Sequence, residues 1–291
     1  MTTCRIPRYA RGFTLVELVT SMVLSGIVVA FMAMFITVPV QAYRAQTRRA
    51  DLVDATDSVL RLMTRDIHAA LPNSVRVSNN GSFWALEMLE TLDAARYRAG
   101  GGTAANQELS FSAADDAFAT LGELEIPSDL ASTQYFLSIY NVGVTGANAY
   151  DLSNVITPVG TTIGITNPGT GESQITLSPA FRFAYGSPGK RVFLVRGPIT
   201  YLCDTASRTL TRYARYSITS TQRSTTAAFA GITGATVANN VSACQFTYNV
   251  GTAARAGLVT LAVTLSRTDA NFGVAAENVR LLQQVHVENA P

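Results

Sequence analysis

The sequence predicts an α+β chain in which a long N-terminal helix packs on a large antiparallel β-rich head. Three observations carry that expectation. From Leu18 to Tyr43, about 26 residues pass without an Asp, Glu, Lys or Arg, more than the ~18 at which a membrane-spanning helix becomes the default reading. Between Leu52 and Ala70, apolar residues return at three- and four-residue spacing, the period of one helix face. From Asn73 onward, short β-prone runs alternate with Gly, Pro, Asn and Ser turns.

The 291 residues suffice for an anchor and one large or two modest globular units. Hydrophobic residues make up 47% and charged residues 14%, the latter well below the ~25% of an average soluble domain. The formal charge is +2, and the first twelve residues carry Arg5, Arg8 and Arg11 with no acid. Without them, 19 basic side chains face 20 acidic ones, a net charge of −1. No basic patch points to nucleic acid, and the overall charge supplies no steering argument.

The anchor opens on Arg11-Gly12-Phe13-Thr14-Leu15-Val16-Glu17-Leu18. Its apolar run is longer than the ~7 to 15 residues of a secretory h-region, and no A-x-A-like site follows it. Gly12 stands instead before the run, where a protease on the cytoplasmic side could cut and leave the anchor attached. The leader arginines favour that end staying inside. Arg44, Arg48 and Arg49 flank the other end, so the long C-terminal part orients the chain better than charge does. Glu17 is the anomaly, because a carboxylate within an apolar helix costs up to about 3 kcal/mol at the bilayer centre. Either it sits at headgroup level, or it pairs with a cation. Cleavage after Gly12 would create one at the Phe13 amine, and a neighbouring subunit's amine would serve equally.

These residues resemble the type IV prepilin signature: a short basic leader, the cleavage-site Gly12, Phe13, Glu17 five positions after Gly12, and an apolar helix. The resemblance covers the N-terminal quarter of the chain. It implies cutting between Gly12 and Phe13 by a prepilin peptidase, N-methylation of Phe13, and Glu17 serving subunit docking during filament assembly. It implies as partners that peptidase, other major and minor pilins and an inner-membrane assembly platform. No cofactor is implied. The implied location is the bacterial inner membrane, single-pass, with the C-terminal head in the periplasm, and then the pilus.

Pro39, at the end of the anchor, removes a helical hydrogen bond and is expected to kink the helix. Beyond it, Leu52, Thr56, Val59, Met63, Ile67 and Ala70 form the apolar stripe. Arg44, Arg48, Arg49, Asp51, Asp54, Asp57, Arg61, Arg65 and Asp66 are expected to supply the opposing charged faces, with Asp57 and Arg61 at a supporting i, i+4 spacing. Leu71-Pro72 marks the expected stop. If Phe13 to Leu71 is nearly continuous, about 59 residues at ~1.5 Å make a spine close to 90 Å long. The expected organisation is a leader over 1–12, a transmembrane segment over 13–40, an amphipathic periplasmic helix over 41–71 and a β-rich head over 72–291.

In the head, strands are expected over 74–78, 82–89, 108–112, 134–141, 174–177, 191–196, 199–203, 209–216, 244–248, 258–266 and 279–287. Leu258 to Leu265 alternates as a half-buried strand does. Gly100 to Gln107 and Val142 to Glu172 are turn-rich and read as long surface loops. Tyr201-Leu202-Cys203-Asp204 and Thr209-Leu210-Thr211-Arg212-Tyr213 read as a hairpin across Thr205 to Arg208. Of three cysteines, Cys4 precedes the anchor. Cys203 and Cys244 lack the C-x-x-C spacing of zinc or thioredoxin-like sites. They form a structural disulfide, which places the head in an oxidising compartment, or remain two buried thiols.

These hairpin and strand residues, with the tail Val285-His286-Val287-Glu288-Asn289, resemble the large minor pilins of mannose-sensitive haemagglutinin (MSHA) pili, the O-type in particular. The head is also broadly similar to the J-type minor pseudopilins of type II secretion. The resemblance implies a role near a pilus tip or in starting assembly, and assigns no ligand.

Catalytic and metal sites have few candidates. His68 and His286, the only two histidines, are a poor stock for either and read as ordinary residues. No G-x-S-x-G elbow, H-E-x-x-H helix or EF-hand loop occurs. Gly186-Ser187-Pro188-Gly189-Lys190 lacks the first Gly and the closing Ser or Thr of a phosphate loop. Asp115, Asp116, Glu123 and Glu125 are loop cation ligands or a solvated acidic patch. Phe83 and Trp84 are a strand-buried aromatic cluster or a binding surface. An enzyme is therefore not expected. Two functions remain: a filament-assembly protein, and a tip-exposed binding module for cell adhesion that uses its long loops.

Overall fold

The computed structural model describes residues 12–101, 107–128, 130–152, 154–251, 256–269 and 274–290. The leader before Gly12, with Cys4 and its arginines, lies outside them, as does the middle of the Gly100 to Gln107 loop. The described chain is a long N-terminal apolar helix followed by a large antiparallel β-sheet head, a type IV pilin-like α+β architecture. It divides into two units, Met1–Asp51 and Leu52–Pro291.

Helix α1 runs over Leu15–His68. In the first unit its apolar side chains are exposed, among them Leu15, Val23, Ile27 and Phe31. An 18-residue window reaches a mean hydropathy of 2.4, long and apolar enough to cross a membrane. The helix is assigned without interruption through Pro39. It ends at His68, three residues before the expected stop. The chain after it turns to bond β-fashion with the head: Leu71 N–H donates to Leu89 O (2.8 Å), and Thr91 N–H to Ala69 O (2.8 Å).

The head strands are β1 (Arg76–Asn80), β2 (Phe83–Tyr97), β3 (Asp115–Leu121), β4 (Phe136–Ser138), β5 (Thr162–Thr166) and β6 (Glu172–Phe181). They continue with β7 (Arg191–Asp204), β8 (Thr209–Ala214), β9 (Gly234–Asn239), β10 (Val241–Asn249), β11 (Gly257–Asp269) and β12 (Val274–Val287). One sheet has the order β5-β6-β3-β2-β7-β8-β9, with β1 on β2 and β4 on β7. The other has the order β10-β11-β12. The named strand pairs are antiparallel.

The helical stripe does what its spacing predicts. Leu52, Thr56, Val59, Met63 and Ile67 are buried. Leu52, Val59, Met63 and Ile67 share a core cluster with Leu86 and Met88 of β2, Tyr201 of β7, Phe246 of β10, Leu261 and Val263 of β11, and Val285 of β12. A second core, around Phe118, Ile163, Ile175 and Leu194, fills the β5-β6-β3 end of the large sheet.

Several expected elements differ. No strand forms at 108–112; β3 follows it, because the Asp115 carboxylate accepts the Ser110 (2.8 Å) and Ala117 (3.2 Å) N–H groups and turns the chain into the strand. The 191–196 and 199–203 strands are one, β7, running through Gly197-Pro198. A proline in a sheet removes a ladder donor. Opposite Pro198 stands Leu89, whose N–H goes to Ser74 Oγ (3.2 Å) and whose carbonyl accepts from Leu71, and β2 bulges just beyond it. The Val142 to Glu172 stretch is more than a surface loop: its Ala149, Tyr150, Val155 and Ile156 are buried in a core with Leu71, Leu89 and Val195. Tyr150 Oη also donates to Ser74 O (2.9 Å), and β5 lies within the stretch. Its Gly, Asn and Pro content masked the isolated apolar residues. β9 is a further strand not anticipated.

Candidate functional site

The N-terminal candidates sit at a junction between two backbone conformations. Gly12, Phe13 and Thr14 precede the helix, which starts at Leu15. Thr14 is the cap: its Oγ1 accepts the Glu17 N–H (3.3 Å), and its carbonyl accepts the Leu18 N–H (3.1 Å). Thr14-Leu15-Val16-Glu17 thus has the S/T-x-x-E form of a capping box, with the threonine half made. That spacing was readable from sequence.

The peptide bond between Gly12 and Phe13 therefore lies outside the helical ladder. A Cβ built on Gly12 meets nothing within 4 Å, so packing within the described chain gives no reason for a glycine there. Phe13 is 76% exposed. Glu17 lies in the first helical turn, where a carboxylate is favoured by the positive end of the helix dipole. Its side chain is exposed, with no side-chain partner among the described residues.

Cys203 on β7 and Cys244 on β10 form a disulfide, with Cα atoms 6.4 Å apart. Both are buried, and the bridge joins the large sheet to the small one.

Polar groups are concentrated in two buried clusters. Asp66, at the end of α1, accepts from Tyr201 Oη (2.8 Å) and Arg212 Nε (2.7 Å). Burial and the adjacent carboxylate push the Tyr201 hydroxyl well above its usual range. Glu87 on β2, fully buried, pairs with Arg76 Nε (2.9 Å) and accepts from Tyr216 Oη (2.9 Å). Burial raises the Glu87 carboxyl above its ordinary range despite Arg76. Arg76 also lies over the Tyr150 ring at 3.6 Å. These clusters lock elements together.

The remaining candidates take structural places. Asp115 and Asp116 open β3, and Glu123 Oε1 accepts the Gly171 N–H (3.3 Å). Trp84 packs edge-on to Phe246 with ring centroids 6.5 Å apart. His68 and His286, 218 positions apart in the chain, line one cleft of about 600 Å³ with Asp93 and Glu288, a meeting that no sequence spacing signals. No group of three or more His, Cys, Asp or Glu among the described residues is arranged to hold a metal.

Residues 7–33 match the family model for the prokaryotic N-terminal methylation motif. The match covers a short N-terminal part of the chain and supports a type IV pilin-like or pseudopilin-like protein processed by a prepilin peptidase. No curated protein and no solved structure matches the chain.

Proposed function

We propose that this chain is a minor pilin or pseudopilin, cut between Gly12 and Phe13, methylated at the Phe13 amine and drawn into a filament by Glu17. The observation that carries this reading is the Gly12-Phe13 bond, held outside the helix one residue ahead of the Thr14 cap, where the apolar segment begins. Residues 13–40 span the inner membrane in this reading, and residues 41–71 carry the helix into the periplasm. The Cys203–Cys244 bridge supports an oxidising compartment for the head. The size of the head, residues 72–291, favours a minor role near the tip or in initiation, since a bulky head is harder to repeat along a close-packed filament. The resemblance of the hairpin and strand residues to large MSHA minor pilins supports an MSHA-type pilus, with a type II secretion filament as the alternative. The partners are other pilins and the inner-membrane assembly platform.

Glu17 has two electrostatic tasks in this scheme. It compensates the amine created four residues earlier by cleavage, and in a filament it offers that compensation to a neighbouring subunit within an apolar setting. Intact mass and N-terminal sequencing of the membrane form should give a chain starting at methylated Phe13. A mature product retaining Arg11-Gly12 sinks the proposal. Glu17→Ala is expected to leave cleavage intact and to abolish recovery of the chain in sheared filaments; normal incorporation removes the docking role.

A further inference from the structure

Two clefts meet at the corner where β8 ends. One, about 280 Å³, opens beside Phe136 and Val159; the other, about 520 Å³, opens beside Gly231. Arg215, Tyr216 and Ser217 line both and form the ridge between them. Their linings bring in Arg196 on the first side and Arg223 on the second, and among the described residues contain no Asp or Glu.

The three arginines are not equivalent. Arg196 stands 3.8 Å from Glu90. Arg223 donates to the Ala228 carbonyl and lies 5.4 Å from the Tyr216 ring centroid. Both are held by the head. Arg215 has φ 61°, a left-handed conformation that a non-glycine residue adopts at a cost. Its N–H donates to Pro198 O (3.2 Å), which fixes the corner. Its side chain is exposed and has no hydrogen-bond or ion-pair partner among the described residues. A strained backbone thus holds an exposed guanidinium on the ridge of two clefts whose described lining residues include no acid.

We propose that this double cleft binds an acidic polysaccharide, with a carboxylate or sulfate of the sugar on Arg215. The guanidinium fork matches either oxyanion with paired N–H donors. Beside the arginines the linings carry neutral polar groups: Thr133 and Gln134 in one cleft, Thr233 in the other and Ser217 in both. Hydroxyl and amide groups both donate and accept, as sugar hydroxyls require. A nucleic acid strand would need a free cation at each successive phosphate, whereas Arg196 faces Glu90 and Arg223 is bonded to the Ala228 carbonyl. Val159, 66% exposed, brings the 142–172 stretch to the rim.

The test uses the full-length chain in detergent micelles, with alginate as the carboxylate source, dextran sulfate as the sulfate source, and neutral dextran and polyglutamate as comparators. Alginate or dextran sulfate is expected to bind in a salt-sensitive manner, and which of them binds tells the oxyanion. Arg215→Gln should weaken that binding by about tenfold. Arg280→Gln, an equal loss of charge on β12, should leave it unchanged. Absence of binding to both polyanions, an equal loss in both variants, or equally tight binding of polyglutamate overturns the proposal. Thermal unfolding of each variant separates a folding defect from a lost contact, and Arg215→Lys, retaining charge without the fork, should recover only part of the affinity. Intact mass on the same samples reads cleavage at Gly12, so a failure here is distinct from a failure of the filament reading.

Discussion

Glu87 shows how one residue can set a pH response for the head. It is fully buried on β2, paired with Arg76 and bonded by Tyr216, yet burial outweighs these partners and raises its carboxyl above the ordinary range. The folded head therefore holds this proton more tightly than the unfolded chain does. Between the ordinary carboxylate range and the raised value, stability contributed by Glu87 falls as pH rises, and it is fully present below that window. Glu87→Gln should flatten the slope of stability against pH there by up to about 1.4 kcal/mol per pH unit. Urea midpoints of the full-length chain at stepped pH check this, and an unchanged slope assigns the response to other groups. Little of this was legible in the sequence. Glu87 sits in an expected strand, but its partners Arg76 and Tyr216 come from register and from a later turn. The N-terminal candidates are the opposite case: Gly12, Phe13, Thr14 and Glu17 lie within six residues, so their relation is local and written in order.

At the scale of elements, the join between α1 and the large sheet rests on the stripe Leu52 to Ile67 and on one polar lock. The stripe was legible because helical burial repeats at a fixed period. The lock was not, since Asp66 meets Tyr201 and Arg212 across more than 130 residues. Asp66 is 5% exposed; removing it strands a guanidinium and a hydroxyl at the buried end of the helix. Asp66→Ala is expected to cost about 3 kcal/mol, and Tyr201→Phe about 1 kcal/mol. Chemical denaturation of the two variants, with helix content followed separately, gives both figures, and equal losses would discount the arginine's share. Strand limits were harder to read where two signals competed. Gly197-Pro198 reads as a break, but the β2 bulge and the Ser74 and Leu71 bonds at Leu89 take up the missing donor.

For the whole head, the Cys203–Cys244 bridge ties two sheets that share a core but, among the named strand pairs, no backbone ladder. Its sequence separation of 41 residues corresponds to about 4 kcal/mol of restrained unfolded-chain entropy. The double variant Cys203→Ala and Cys244→Ala should lose a stability of that order in denaturant titrations, and reduction of the parent chain should approach the same midpoint. A parent chain indifferent to reductant would remove the bridge from the account. The cysteines were visible in the sequence as a pair without a metal spacing, while their meeting across two sheets depends on strand order, which no local pattern encodes. The same bridge has a mechanical consequence. Tension applied through α1 reaches the large sheet through the backbone bonds of Ala69 and Leu71 to β2 and at Asp66, whose partner Tyr201 on β7 lies two residues from Cys203. The covalent link then carries the load to β10, so the two sheets bear a pull together and the small one is not left to peel away along its packing face.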